Sequence, residues 1–320
     1  MNLSASGPVV DIAGLTKTFG RGRGTTRALD GLDLAVAPGE VAGFLGPNGA
    51  GKSTTLRILL GMIRADGGRA RLFGADPWDN AVALHSRLAY VPGDVSLWPG
   101  LTGGQTLEAL ASLRRRRRDT GEAGDPGRAA EANRRRGELV QRFDLDPSKK
   151  IRAYSKGNRQ KVALIAALSE SVDLLVLDEP TSGLDPVMER RFVETIREIA
   201  AEDRTILLSS HIMSEVELLC HEVTIIRAGR AIVTDSLDNL RDQARVRIGA
   251  RLDRPLPDGV LPGGAVHATN DDPLRLDLSV PSDEVLPVVS ALVSSAPRGL
   301  TVTPANLDDL FWQRYEGNLR

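Results

Sequence analysis

Gly46-Pro47-Asn48-Gly49-Ala50-Gly51-Lys52-Ser53 is the stretch whose reading decides the fold. It follows the short apolar run Glu40 to Leu45 and opens a helical segment, Lys52 to about Gly61. Glycines at this spacing let consecutive backbone N–H groups turn toward one anionic centre, and the positive end of the following helix adds to that field. The G-x-x-x-x-G-K-[ST] pattern between a strand and a helix is that of a phosphate loop, against the blander reading of a Gly-rich helix start. Gly46, Pro47, Asn48, Gly49, Ala50, Gly51 and the neighbouring Thr54 are read as lining a triphosphate such as ATP. Lys52 is expected to reach its β- and γ-phosphates, and the Ser53 hydroxyl to ligate Mg²⁺.

Two further apolar runs lie downstream. Asp173 to Leu177 ends in Asp178-Glu179-Pro180, and Thr205 to Ser209 ends in Ser210-His211. All three runs therefore carry polar residues at their C-terminal ends. Short, nearly all-apolar strands alternating with helices predict an α/β fold with a mainly parallel buried sheet, which binds ligands beyond the C-terminal ends of its strands. Asp178 is then placed to hold the Mg²⁺ shell, and Glu179 to act as the general base that polarises an attacking water. An acidic pair at the end of an apolar run is in other settings an ordinary solvated turn; the upstream phosphate loop gives this one its meaning.

Composition bounds the rest. The chain has 320 residues, 41% of them apolar, enough for a large core with room for a second, smaller domain. Its formal net charge is −1, from 41 basic and 42 acidic residues, so no global field draws it toward nucleic acid. The arginines Arg114 to Arg118 and Arg134 to Arg136 are diluted by Asp119, Glu122, Asp125 and Glu131, with no interleaved aromatics, and are expected on a solvated face. The lone Cys220 is read as a buried thiol, and His85, His221 and His267 as ordinary structural or surface residues. Met1 to Pro8 lacks the pattern of a secretion signal, which predicts a cytoplasmic protein. The apolar run Val162 to Leu168 stops at Ser169-Glu170, far short of the roughly 18 residues a spanning helix needs. Any membrane link is expected through a partner.

Alternation over Val9 to Thr18 and Leu32 to Ala37 predicts further strands. Helical character between about Leu101 and Ala153 predicts an inserted helical subdomain, extending over about 100–170 at its widest. Beyond about Leu240 a Pro/Gly-bearing stretch leads to a strand (Leu274 to Val280), a helical segment (Ser282 to Ser295), a strand (Leu300 to Pro304) and a final helix. The expected division is thus a main domain over 1–239 and a small α+β domain over 240–320.

Tyr154-Ser155-Lys156-Gly157-Asn158-Arg159-Gln160-Lys161, about twenty residues before the acidic pair, resembles the signature segment of the nucleotide-binding subunits of ABC transporters. Lys156 and Asn158 replace the Gly and Gln of the commonest form. Ser182-Gly183-Leu184-Asp185 resembles the family's D-loop, His211 its switch histidine, and Phe19 its adenine-stacking aromatic. The resemblance implies a P-loop ATPase core with an antiparallel β subdomain beside the parallel sheet. It also implies that Ser155 and Gly157 contact the γ-phosphate held by an opposing copy, with Asp185 at the seam of that homodimer. His211 would then touch the γ-phosphate, and Lys52, Glu179 and His211 would carry catalysis. Ser155 also reads as an ordinary N-cap for the helix Arg159 to Leu168. In Tyr90-Val91-Pro92-Gly93-Asp94 the family's usual Gln falls at Gly93, and Asp94 is the candidate to take over its metal contact. Asn306 to Gly317, with an apolar face of Leu307, Leu310 and Phe311, resembles the closing helix of daunorubicin- and tetronasin-type efflux ATPases. The implied function is ATP hydrolysis powering efflux through a membrane-spanning permease on a separate chain, with this subunit peripheral on the inner face of the membrane. The alternative is a soluble ABC ATPase acting on ribosomes or DNA, though such proteins usually carry two fused ATPase halves or a long coiled coil.

Overall fold

The computed structural model describes residues 7–118, 126–243, 245–254, 256, 261, 266–267, 272 and 274–303. Its contacts divide the chain into two compact units, Met1–Thr234 and Asp235–Arg320.

In the first unit, β1 (Val10–Phe19), β2 (Thr26–Val36) and β4 (Gly67–Leu72) form an antiparallel sheet in the order β2-β1-β4. β2 begins at Thr26 rather than at the expected Leu32, because Thr26 pairs with Phe19 across the sheet. Polar residues masked this early half: Asp30 faces away from the core and pairs with Arg27 and Arg230.

The second sheet holds six strands in the order β5-β6-β7-β3-β8-β9. These are β3 (Val41–Leu45), β5 (Leu88–Val91), β6 (Leu174–Asp178), β7 (Thr205–Ser210), β8 (Glu222–Arg227) and β9 (Arg230–Ser236). The pairings β5·β6, β6·β7, β7·β3 and β3·β8 are parallel, while β8 and β9 are joined by a tight turn at Ala228-Gly229, both at positive φ. Every residue of β3, β6 and β7 is buried, as a sheet covered on both faces requires. Each Leu, Ile or Val side chain withdrawn from water there contributes about 1.5–3 kcal/mol.

The covering helices are α1 (Lys52–Leu59), α2 (Ala81–Arg87), α6 (Pro186–Ala200) and α7 (Met213–Leu219). The inserted helices are α3 (Gly103–Arg118), α4 (Pro126–Arg142) and α5 (Lys156–Leu168). Two of the arginines expected on a solvated face do structural work instead. Arg114 donates to Leu88 O and pairs at 3.6 Å with the buried Glu170, and Arg135 pairs with Glu202 at 2.8 Å. Arg134 does lie exposed, between Glu131 and Glu138 on α4. Cys220 is buried, and burial pushes its thiol well above the usual range. Among the described residues, no helix is long and apolar enough to cross a membrane.

The second unit contains α8 (Leu237–Gln243) and a four-stranded sheet in the order β11-β12-β10-β13. Its strands are β10 (Val246–Arg251), β11 (Val266–His267), β12 (Arg275–Val280) and β13 (Arg298–Thr303), all paired antiparallel. α9 (Val285–Val293) packs Val288 and Leu292 into a separate core with Ile248, Leu276, Leu278 and Val280. The segment expected to be helical from Ser282 starts as a single 3₁₀ turn, Ser282–Glu284, and becomes α-helical only at Val285. The expected closing helix with Leu307, Leu310 and Phe311 lies outside the described residues.

Candidate active site

The phosphate loop leaves β3 at Leu45 and enters α1 at Lys52. Its glycines are needed for two different reasons. Gly49 and Gly51 adopt φ of 82° and 114°, and a Cβ on Gly51 would lie 2.7 Å from Ala28 O. A Cβ on Gly46 would lie 2.4 Å from Ile226 O, so the neighbouring strand β8 allows no side chain there. The turn is pinned by Gly46 N to Ser210 O at 3.2 Å and by Ala50 N to Pro47 O at 3.2 Å. The amides of Lys52, Ser53 and Thr54 belong to the first turn of α1, where the helix itself supplies no acceptors. Asn48 and Gly49 form the exposed tip.

Neighbouring strands bring the remaining groups to the same edge, since β3 adjoins β7 and β7 adjoins β6, with Leu45 opposite Ser210 and Asp178 opposite Ser209. Lys52 is 5% exposed; its Nζ donates to Gly46 O at 2.5 Å and Pro47 O at 3.2 Å and lies 3.9 Å from Glu179 Oε1. Burial lowers its pKa, against the opposing pull of Glu179 and Asp178. The buried Asp178 accepts from Ser209 Oγ at 2.9 Å and from Ser53 Oγ at 3.2 Å. Burial raises its pKa, and those two hydrogen bonds act in the opposite direction. Glu179 follows with φ of 46°, its N–H donating to Ser209 O at 2.9 Å. Its Oε1 stands 3.2 Å from His211 Nδ1. The exposed His211 directly follows β7.

Gly93 lies against this pair: a Cβ there would be 3.3 Å from Asp178 O and 3.6 Å from Glu179 Cβ. Asp94 beside it is exposed. Tyr90, on β5, has its phenol pushed up to about 12 by burial, with Asp178 adding to the shift. Phe19 ends β1 half exposed, with Lys17 Nζ 5.6 Å from its ring centroid.

The signature segment forms the start of α5, which begins at Lys156, three residues before the expected Arg159. Ser155 is its N-cap and accepts from Asn158 N at 3.2 Å. A Cβ on Gly157 would lie 2.2 Å from Gly183 O, so α5 and the loop after β6 meet backbone to backbone. Lys156 Nζ donates to Ser182 Oγ at 2.8 Å and Gln160 Nε2 to Pro180 O at 3.1 Å, tying the two segments together. Asp185 caps α6, accepting from Val187 N and Met188 N at 3.0 Å each; these backbone bonds, that from Met188 first, hold its carboxyl below the usual range.

The structure thus gathers Lys52, Ser53, Asp178, Glu179, Gly93 and His211 at one sheet edge. Ser155, Gly157 and Asp185 form a second group around the loop that leaves β6. Sequence reading missed Ser209 and a polar cluster of Thr181, Ser210 and Glu215. For Ser209 the available signal was a serine near the end of an apolar run, the kind of run that also delivers Asp178 to the sheet edge.

Known proteins resemble this chain in sequence and in fold. The ABC transporter family profile matches residues 29–182. The daunorubicin resistance ATP-binding protein DrrA3 of Streptomyces coeruleorubidus is 34% identical over 84% of this chain and 83% of its own length. A fluoroquinolones export ATP-binding protein of Mycobacterium tuberculosis is 34% identical, covering 77% of each chain. A solved ATP-binding subunit of an ABC transporter superposes with a TM-score of 0.63 at 29% identity, covering 73% of this chain and 92% of the other.

Proposed function

Because this chain belongs to the ABC transporter family as an ATP-binding subunit that hydrolyses ATP for transport, we propose that it is the motor of an exporter whose membrane-spanning part is a separate polypeptide. Export is supported by relatives named for daunorubicin resistance and fluoroquinolones export. The carried molecule would be a drug, antibiotic or lipid-like compound recognised by the membrane subunit. The chain would then work at the cytoplasmic face of the membrane.

The observation that carries the hydrolytic assignment is the Glu179 carboxylate, 3.9 Å from Lys52 Nζ and 3.2 Å from His211 Nδ1. Glu179 is the base that takes a proton from the water attacking the γ-phosphorus, as the bond to the bridging oxygen breaks. Lys52 and the amides of Gly49 to Thr54 neutralise the charge on the phosphates, and His211 contacts the γ-phosphate while orienting Glu179. Phe19 stacks on adenine. Mg²⁺ fits the donor set, since it takes hard oxygen ligands from one or two side chains and completes its shell with phosphate and water. Ser53 Oγ and Asp178 Oδ2, 3.2 Å apart, would hold it, and it would supply charge neutralisation on the phosphates. Asp94 is proposed to complete the metal's outer contacts where Gly93 offers none. Mg²⁺ dependence and turnover unchanged in Asp94→Ala would remove that role.

Two copies are proposed to close over two nucleotides, with Ser155 and Gly157 of each completing the site of the other, and Asp185 at the seam. For the permease, support comes from a cleft of about 880 Å³ between the phosphate-loop half and the inserted helices, lined by Met62, Val82, Leu97, Leu107, Leu110 and Leu113. The loop after β5 reaches from Gly93, against the acidic pair, to Leu97 in this cleft. Movement of a helix docked there would therefore be felt at Glu179. The test is co-purification from membranes: the wild-type chain brings down a membrane protein, and Leu113→Asp, at a half-exposed position of the cleft, releases it while ATP is still bound. Recovery of ribosomes, or of DNA in a salt-sensitive complex, would contradict the proposal.

A further inference from the structure

The Glu215 carboxylate, in the first turn of α7, engages both loops that carry the proposed reacting residues. Its Oε1 accepts from the Thr181 hydroxyl, and its Oε2 accepts from Ser210 Oγ at 2.6 Å. Thr181 follows Glu179 by two residues and is 7% exposed; Ser210 directly precedes His211 and is 1% exposed. The Ser210 oxygen also accepts from Ile212 N at 3.0 Å, on the far side of the histidine. Hydroxyls this buried need their acceptor, because one left unpaired gives up its hydrogen bond to water with nothing in return. One carboxylate serves two segments from different strands: the turn leaving β6 and the end of β7.

The geometry points to Glu215 as a positioning residue for hydrolysis, clamping the Thr181 turn and the Ser210 strand end together and so setting the 3.2 Å approach of His211 Nδ1 to Glu179 Oε1. Glu215 lies four residues after His211, beyond the extended Ile212 that leads into α7, and needs no contact with nucleotide to act. A carboxylate suits the task because it accepts two hydroxyl bonds at once. An amide could keep both arms, one of them by donating to a hydroxyl that turns to accept, whereas Glu215→Met keeps much of the volume and breaks both. The inference rests on the assignment of Glu179 and His211 made above.

The test pairs steady-state ATPase kinetics with NMR of the histidine rings in the full chain, which has only four histidines. Glu215→Met, Thr181→Val and Ser210→Ala are compared, so that one arm remains testable should any variant not fold. The expected result is a fall in kcat of about tenfold with KM changed less than about twofold. Alongside it, the His211 ring resonances, identified by their loss in His211→Ala, shift while those of His85 and His221 stay in place. A rise in KM with kcat unchanged, a still His211, or shifts shared by all the histidines would overturn the positioning role. Glu179→Gln and His211→Ala serve as controls: if they abolish turnover and Glu215→Met does not slow it, the positioning role alone falls. If those controls leave turnover intact, the catalytic assignment falls and takes this inference with it.

Discussion

Glu179 adopts a left-handed backbone conformation, φ 46°, that costs a residue with a Cβ about 1–2 kcal/mol. The N–H bond to Ser209 O at 2.9 Å and the turn closed by Ser182 N to Glu179 O at 3.1 Å hold it there. The strain is at the residue proposed to move the proton. Two substitutions separate strain from chemistry: Glu179→Gly and Glu179→Ala both remove the carboxylate, but the glycine variant is expected to be about 1 kcal/mol more stable in denaturant titration. Equal stabilities would mean that the conformation is not strained. At Gly157 the requirement is reversed. A Cβ would press on Gly183 O at 2.2 Å, so Gly157→Ala is expected to lose about 1–3 kcal/mol of stability, read as a lowered unfolding midpoint. Glu40 gives a pH signature. Burial, reinforced by Glu222, raises its pKa, and its Oε1 is buried with no hydrogen-bond partner among the described residues. A raised carboxyl favours the folded state when protonated, so its stabilising contribution is present below the ordinary carboxylate range and is lost as pH rises through the raised value. Glu40→Gln should therefore raise Tm near neutral pH, with the gain vanishing toward pH 4.

Elements show what could be read from the chain and what could not. The phosphate loop was legible because its chemistry is local: one strand, eight residues and one helix. Asp178 and Glu179 were legible because an all-buried strand must deliver its first polar residues to the sheet edge. The start of β2 was hidden, since Arg27 and Asp30 serve ion pairs with partners up to 200 residues away. Arg114 read as surface because its partner Glu170 is brought beside it only by tertiary packing. Ser209 and the cluster of Thr181, Ser210 and Glu215 share that difficulty: they come from different elements, and no spacing announces them. The apolar pattern alone puts the start of α5 at Arg159, whereas the Ser155 cap sets it at Lys156. Removing the cap oxygen in Ser155→Ala should destabilise the chain by about 1 kcal/mol. Ser155→Thr keeps an oxygen for Asn158 N and should recover most of that loss, measured by the same titration.

At the scale of the molecule, each unit has its own buried core: one runs through β1, β3, β6 and α1, the other through β10, β12 and α9. Calorimetry is expected to resolve two transitions, of which only that of the Met1–Thr234 unit rises with nucleotide. At a hundred times its dissociation constant the ligand adds about 2.7 kcal/mol to that unit. A single transition, or equal shifts in both, would contradict this. The account as a whole depends on one edge of the six-stranded sheet holding and hydrolysing ATP through Lys52 and Glu179. Its most direct test follows radiolabelled ATP retained by the purified chain with Mg²⁺, alongside phosphate release. Glu179→Gln should retain ATP at least as well as wild type while releasing phosphate about a hundredfold more slowly or less, and Lys52→Ala should lose retention. Wild-type phosphate release by Glu179→Gln, or undiminished ATP retention by Lys52→Ala, would contradict it.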